Sequence, residues 1–192
     1  MAKKESTLGN MIIALVAVTL AASTSLGFIY QITKEPIAAA KLAKKMDAIQ
    51  NVLPEFNNEP NMEVYKIPTD GDTLYFYPAK KDGSLVGTAI ESFTNQGFTG
   101  EIKIMVGLLP DGSIHDVAVL EHKETPGLGD KMERRKSDWG NQFRGKDPKY
   151  FNISVKKDGG DVDAITASTI SSRAFCEALG RAYNAYMEGD EK

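Results

Sequence analysis

Residues 101–122 read EIKIMVGLLPDGSIHDVAVLEH. Ile102, Ile104, Val106 and Leu108 alternate with Lys103, Met105 and Gly107, the two-residue period of a strand that buries one face most completely. Pro110-Asp111-Gly112-Ser113 then separates this run from a second β-rich stretch, IHDVAVLEH. Asp-Gly between two such runs is a strong hairpin signal, because glycine supplies the positive φ that the turn requires. A similar unit lies upstream: LYFYPAK, then Lys81-Asp82-Gly83-Ser84, then LVGTAIESF. Together the two units predict an antiparallel meander of about four strands.

Helical patterns flank the meander. Downstream, Ile170, Ala174, Phe175, Ala178, Leu179, Ala182, Tyr183, Tyr186 and Met187 form a wide stripe at spacings of three and four. Asp161, Asp163, Thr166, Ser168 and Thr169 precede it and supply capping chemistry. Upstream, Leu42, Met46, Ile49 and Leu53 mark a helix from Pro36 to Leu53, bounded by Pro54. A short helix is expected around Met132 to Trp139, and Phe151 to Val155 reads as one more short strand. The fold class is α+β: an N-terminal transmembrane helix followed by one domain with an antiparallel sheet flanked by helices.

The transmembrane reading rests on Met11 to Tyr30, MIIALVAVTLAASTSLGFIY, twenty residues without a charge. At about 1.5 Å per residue such a run crosses a hydrocarbon core of about 30 Å. Lys3 and Lys4 would also suit the basic flank of a cleaved signal. The run is longer than the apolar part of a usual signal, however, and apolar residues continue after the small ones at 21–25, so an uncleaved anchor is expected. The organisation is then a short segment over 1–10, an anchor over 11–30, a linking helix over 31–55 and a domain over 56–192. Lys34, Lys41, Lys44 and Lys45 follow the anchor, and their count argues mildly for a cytoplasmic body. Long domains cross membranes largely regardless of charge, so the count leaves orientation open.

A net charge of −3 gives no support to nucleic-acid binding. Cys176 is the lone cysteine, and His115 and His122 are the only imidazoles, so there is no cluster with the spacing of a zinc or iron–sulfur site. Cys176 reads as a small buried hydrophobe.

Two segments carry the chemistry. His122-Lys123-Glu124-Thr125-Pro126-Gly127-Leu128-Gly129 follows the fourth strand, and its glycines allow a tight loop with backbone close to a ligand. Taken alone it is also an ordinary strand-exit turn. The other is DAITASTISS, residues 163–172, where Thr166, Ser168, Thr169, Ser171 and Ser172 gather at a helix start. One or two of them suffice to cap the helix. The free N–H groups and positive dipole end there suit a phosphate.

The pairing of HKETPGLGD with DAITASTISSRAF resembles the FMN-binding domain family, over about residues 91–187. That family includes the flavin-carrying subunits of Rnf-type electron-transport complexes and of sodium-translocating NADH:quinone reductases. The anchor and the helix after it also fit the Rnf-type member. In the family a Ser/Thr-Gly-Ala-Thr motif takes FMN through a phosphoester on its last Thr. Here the matching stretch is Thr166-Ala167-Ser168-Thr169, so the resemblance implies covalent FMN on Thr169. Ala167 stands where the family has Gly, at a cost of roughly 1 kcal/mol if that position needs a positive φ. Ser168 stands where the family has Ala and is a conceivable rival acceptor.

The resemblance further implies an electron-transfer subunit of a membrane-bound, ion-translocating complex. Its partners would be the membrane, other redox subunits and the flavin transferase that attaches FMN. Its domain would lie outside the cytoplasmic membrane. Glu124, Thr125, Gly127, Leu128 and Gly129 are the expected contacts of the flavin ring, with His122 and Lys123 more simply solvated charges at a strand end. Trp139 and Tyr150 could stack on the ring or belong to the core. A stand-alone membrane-anchored flavin carrier or reductase and a non-catalytic scaffold are the alternatives.

Overall fold

The computed structural model describes residues 7–69 and 72–190; Lys3 and Lys4 lie outside them. The chain divides into two compact units, 1–43 and 44–192. Helix α1, Leu8–Val52, runs through the boundary and joins the expected anchor and linking helix into one 45-residue element. Pro36 lies inside it rather than in a first turn, which removes one helical hydrogen bond.

In the first unit the helix is long and apolar enough to cross a membrane, and its apolar window has no residue buried by protein. The hydroxyls of Thr19, Ser23 and Thr33 donate to the carbonyls of Leu15, Thr19 and Ile29 at 2.9, 2.7 and 2.8 Å. These three hydroxyls are thereby satisfied within the helix, which suits a lipid environment.

The second unit is built on a five-stranded antiparallel meander: β1 Tyr65–Thr69, β2 Asp72–Lys81, β3 Ser84–Gly97, β4 Gly100–Leu108 and β5 Ile114–Glu121, adjacent in that order. The turns form as their sequences dictate. Asp82 and Gly83 take φ of 52° and 82° in the two-residue link from β2 to β3, and Gly112 takes 84° in the link from β4 to β5. One strand exceeds the expected four. β1 is short, contains Pro68 and pairs only with β2, a combination proper to a sheet edge.

Both faces of the sheet are covered. Helix α2, Thr169–Asp190, packs Phe175, Ala178, Leu179 and Ala182 against Phe76, Ile90, Ile104 and Val106. Ile170 and Met187, at the ends of the predicted stripe, are 47% and 41% exposed. On the other face the last turns of α1 bring Ala48, Ile49, Val52 and Leu53 onto Tyr77, Ala79, Ala89 and Met105. Met105, one of the residues alternating with the core set, is therefore as buried as its neighbours. Leu42 remains 53% exposed, so the covering stripe starts later than the sequence pattern suggests.

Two expected elements are replaced by turns. Residues 132–139 hold no α-helix; short 3-10 helices, Gly129–Met132 and Trp139–Phe143, lie on either side of a turn. There Ser137 Oγ donates to Lys131 O at 2.6 Å and accepts from Trp139 N–H at 3.2 Å, a local competitor of helical bonding. Residues 151–155 form no strand beyond a single bridge from Val155 to Val162. Asp116, buried on β5, anchors this region through Arg134 and Arg144. Burial opposes its charge, but hydrogen bonds from both guanidinium groups and the Val117 N–H outweigh that and hold its carboxyl below the usual range. Cys176 is buried as expected, and burial pushes its thiol up to about 12.

Candidate functional site

The two singled-out segments meet. A cavity of about 360 Å³ is lined by Phe98, Glu124, Thr125, Leu128, Ala167, Ser168, Thr169, Ile170 and Ser171. That size lies in the range of small-molecule sites. The segment after β5 forms one side and the start of α2 another. The turn between β3 and β4, Phe98 and Thr99 flanked by Gly97 and Gly100, adds a third.

At the start of α2 the Ser168 carbonyl accepts the first helical bond, from Ser172 N–H at 3.1 Å, and α2 begins at Thr169. Among the described residues no hydrogen bond engages the N–H groups of Thr169, Ile170 or Ser171. Three donors and the positive end of a 22-residue helix therefore remain for an anion. Ala167, just before, has φ of +62°. This is the strained position that the departure from Gly raised. The expected result for Ala167→Gly is a gain of about 0.5–1 kcal/mol, relief of left-handed strain less the added unfolded-state entropy of glycine. Thermal melting measures it, and an unchanged or lower midpoint would count against strain.

The five hydroxyls have different employments. Ser172 Oγ accepts from Ile165 N–H at 2.9 Å and donates to Ser168 O at 3.0 Å. Ser171 Oγ donates to Glu124 Oε2 at 2.6 Å and lies 3.1 Å from Ser168 Oγ. Thr166 and Thr169 make no side-chain hydrogen bond in the described structure, and of these two only Thr169 lines the cavity.

Glu124 is 4% exposed and fully engaged. Its Oε1 accepts from Thr99 N–H and Oγ1 at 3.1 and 3.2 Å, while Oε2 accepts from Ser171. The carboxylate thus joins the β3–β4 turn, the loop after β5 and α2. Gly129 is required for this: a Cβ there would lie 2.7 Å from both Glu124 Oε2 and Ser171 Oγ. Gly127 serves differently, for its φ of +79°, since an added Cβ would meet nothing within 4 Å. Leu128, at 39% exposure, supplies apolar surface to the cavity.

His122 is a staple of the loop rather than a solvated charge. Its Nδ1 accepts from Glu124 N–H at 3.0 Å, which leaves the proton on Nε2, 2.7 Å from Glu133 Oε1. Lys123 is exposed. Trp139 packs edge-on against Phe143 and Phe175 and donates to Asp163 O at 2.5 Å, and Tyr150 is 79% exposed beside a different groove. Neither lines the cavity. Phe98 and Thr99 were missed in the sequence, although an aromatic between Gly97 and Gly100 was a legible signal, and Phe98 is 66% exposed at that hairpin tip.

Residues 97–184 match the model of the FMN-binding domain. The chain is 39% identical over 175 residues to the G subunit of the ion-translocating oxidoreductase complex of Erwinia tasmaniensis, covering 86% of this chain and 83% of that one. The protein of the same name from Haemophilus influenzae is 40% identical over 161 residues, 80% and 77% of the two chains. That of Vibrio cholerae is 34% identical over 178 residues, 88% and 85%. The cavity, its free helix start and these likenesses agree, and the chain belongs to the family of G subunits of ion-translocating oxidoreductase complexes, with its FMN-binding domain over residues 97–184.

Proposed function

We propose that this protein is the electron-transfer subunit of a membrane-bound, ion-translocating oxidoreductase complex and carries FMN through a phosphoester on Thr169. One observation carries the covalent reading: Thr169 is the motif hydroxyl that lines the cavity and has no hydrogen-bond partner among the described residues. It also stands at the first position of α2, beside three unengaged N–H groups suited to a phosphate. FMN, when bound, supplies reversible one- and two-electron chemistry. The chain's own residues hold the phosphate at the helix start and offer Phe98, Leu128 and Ile170 as apolar surface for the ring. Through Glu124 they lock the surrounding segments together. Other subunits of the complex would exchange electrons with the site, and a flavin transferase would make the bond.

The test is intact mass and peptide mapping of protein expressed natively with its transferase. One FMN, retained after denaturation and mapped to the peptide containing Thr169, is the expected result. Flavin released completely by denaturant would overturn the covalent reading.

We place the apolar run 11–30 of α1 in the cytoplasmic membrane and residues 31–192 on its extracytoplasmic side, although the lysines after the apolar run favour the reverse. The family resemblance supports this, and charge is a weak guide for a domain of this length. Alkaline phosphatase fused after Lys192 should be active. An inactive phosphatase together with an active cytoplasmic reporter at the same position would reverse the assignment.

A further inference from the structure

We propose that Glu124, acting through Ser171, determines which hydroxyl of the motif receives the flavin phosphate, by holding Ser168 out of the reaction. The inference rests on covalent attachment at this motif, as proposed above. Attachment needs a flavin nucleotide activated as a phosphoanhydride. A motif hydroxyl attacks the flavin-side phosphorus and a new O–P bond forms. The anhydride P–O bond breaks, the nucleotide leaving group takes that electron pair, and the hydroxyl proton passes to a base of the transferase. Nothing is oxidised or reduced. The step requires an oxygen free to turn toward the phosphorus and a proton free to leave.

Ser168 and Thr169 both line the cavity, so proximity alone does not separate them. Their hydrogen bonds do. Glu124 is a carboxylate surrounded by donors: Thr99 N–H, Thr99 Oγ1 and Ser171 Oγ at 3.1, 3.2 and 2.6 Å. Ser171 is fully buried and its single proton is committed to Glu124. Toward Ser168 Oγ, 3.1 Å away, Ser171 can therefore only accept. The chain has one direction, with the Ser168 proton directed at a buried oxygen and that oxygen's proton at a buried carboxylate. Thr169 makes no such bond among the described residues. The same contacts could relay the Ser168 proton to Glu124 and so activate Ser168; that arrangement would place the flavin on Ser168 in the unaltered protein.

The experiment co-expresses the full-length chain with its flavin transferase and maps the flavin-bearing residue by tandem mass spectrometry. Wild type should carry flavin on Thr169, and Thr169→Ala should carry none. Thr169→Ala combined with Ser171→Ala removes the group that holds Ser168. Flavin on Ser168 should then rise from below detection to the major modified species. A second combination, Thr169→Ala with Glu124→Gln, reaches the same end differently. Its amide oxygen takes the Thr99 donors, its NH₂ donates to Ser171, and the chain reverses so that the Ser168 proton is released. Flavin on Ser168 in either combination, with none in Thr169→Ala, supports the proposal. Both combinations melting cooperatively like Thr169→Ala yet carrying no flavin would overturn it, as would flavin on Ser168 in Thr169→Ala alone or in wild type. Wild-type protein without covalent flavin anywhere on the motif would instead remove the reading on which the proposal rests.

Discussion

Thr169→Ala is expected to lose covalent flavin entirely while its melting midpoint stays close to wild type. The two parts of this result have separate physical causes. The Thr169 hydroxyl makes no hydrogen bond in the described structure, so its removal leaves no buried polar group without a partner. The side chain is half-buried, and alanine has the higher helix propensity, so the net stability change should lie within about 0.5 kcal/mol. Attachment, by contrast, has no substitute for the missing oxygen while Ser168 is engaged by Ser171. Denaturing gels illuminated for flavin fluorescence, with a melting curve on the same preparation, read both. A fluorescent Thr169→Ala band would reject Thr169, and a collapsed melting curve would show that its side chain is structural.

How far this was legible in the sequence depends on the range of the interactions. Asp82-Gly83 and Asp111-Gly112 announced their hairpins because a turn is decided by the φ its own residues can adopt. The stripe of α2 was legible because one helical face repeats within a few residues. β1 was not, since an edge strand of five residues with a proline has little pattern of its own and is held by β2. Residues 132–139 have helix-forming composition, yet the turn bonds of Ser137 and the anchoring of Arg134 on Asp116 replace the helix. Both are tertiary outcomes.

The site divides in the same way. Its two segments were legible as motifs, and the free helix start follows from local capping. The role of Glu124 was not, because its partners Thr99 and Ser171 lie 25 and 47 residues away. Glu124, expected at the ring, lines the cavity and has both carboxylate oxygens occupied by the protein. Gly129 likewise looked like a means of close approach to a ligand, and its missing side chain makes room for Glu124 and Ser171. Hydrogen-bond networks that join distant segments leave little trace in local composition.

The covering of the second sheet face carries the largest expected loss of stability. Val52 ends α1, and its carbonyl lies 3.0 Å from His115 Nδ1, placed to accept a hydrogen bond from Nδ1–H. The same carbonyl sits directly over β4. A Cβ on Gly107 would lie 1.8 Å from Val52 O and 2.7 Å from Val52 C. Both are backbone atoms at the end of a packed helix, so no rotamer change relieves the overlap. Gly107→Ala must therefore lift the α1 end from the sheet, disturbing Ile49, Val52 and Leu53, each nearly fully buried. Overpacking commonly costs about 1–3 kcal/mol, and a backbone overlap of this depth belongs at the upper end or beyond, about 3 kcal/mol or more. For a chain of this size that is a fall in melting midpoint of roughly 6–12 °C. Gly180→Ala is the control. It lies within α2, an added Cβ meets nothing within 4 Å, and the gain in helix propensity should raise stability by about 0.5–1 kcal/mol. Gly107→Ala melting within about 2 °C of wild type, a shift worth no more than about 1 kcal/mol, would mean that the α1 end yields easily and that its packing on β4 contributes little. Flavin attachment should survive below the new midpoint, because Gly107 and Val52 are not among the residues lining the cavity.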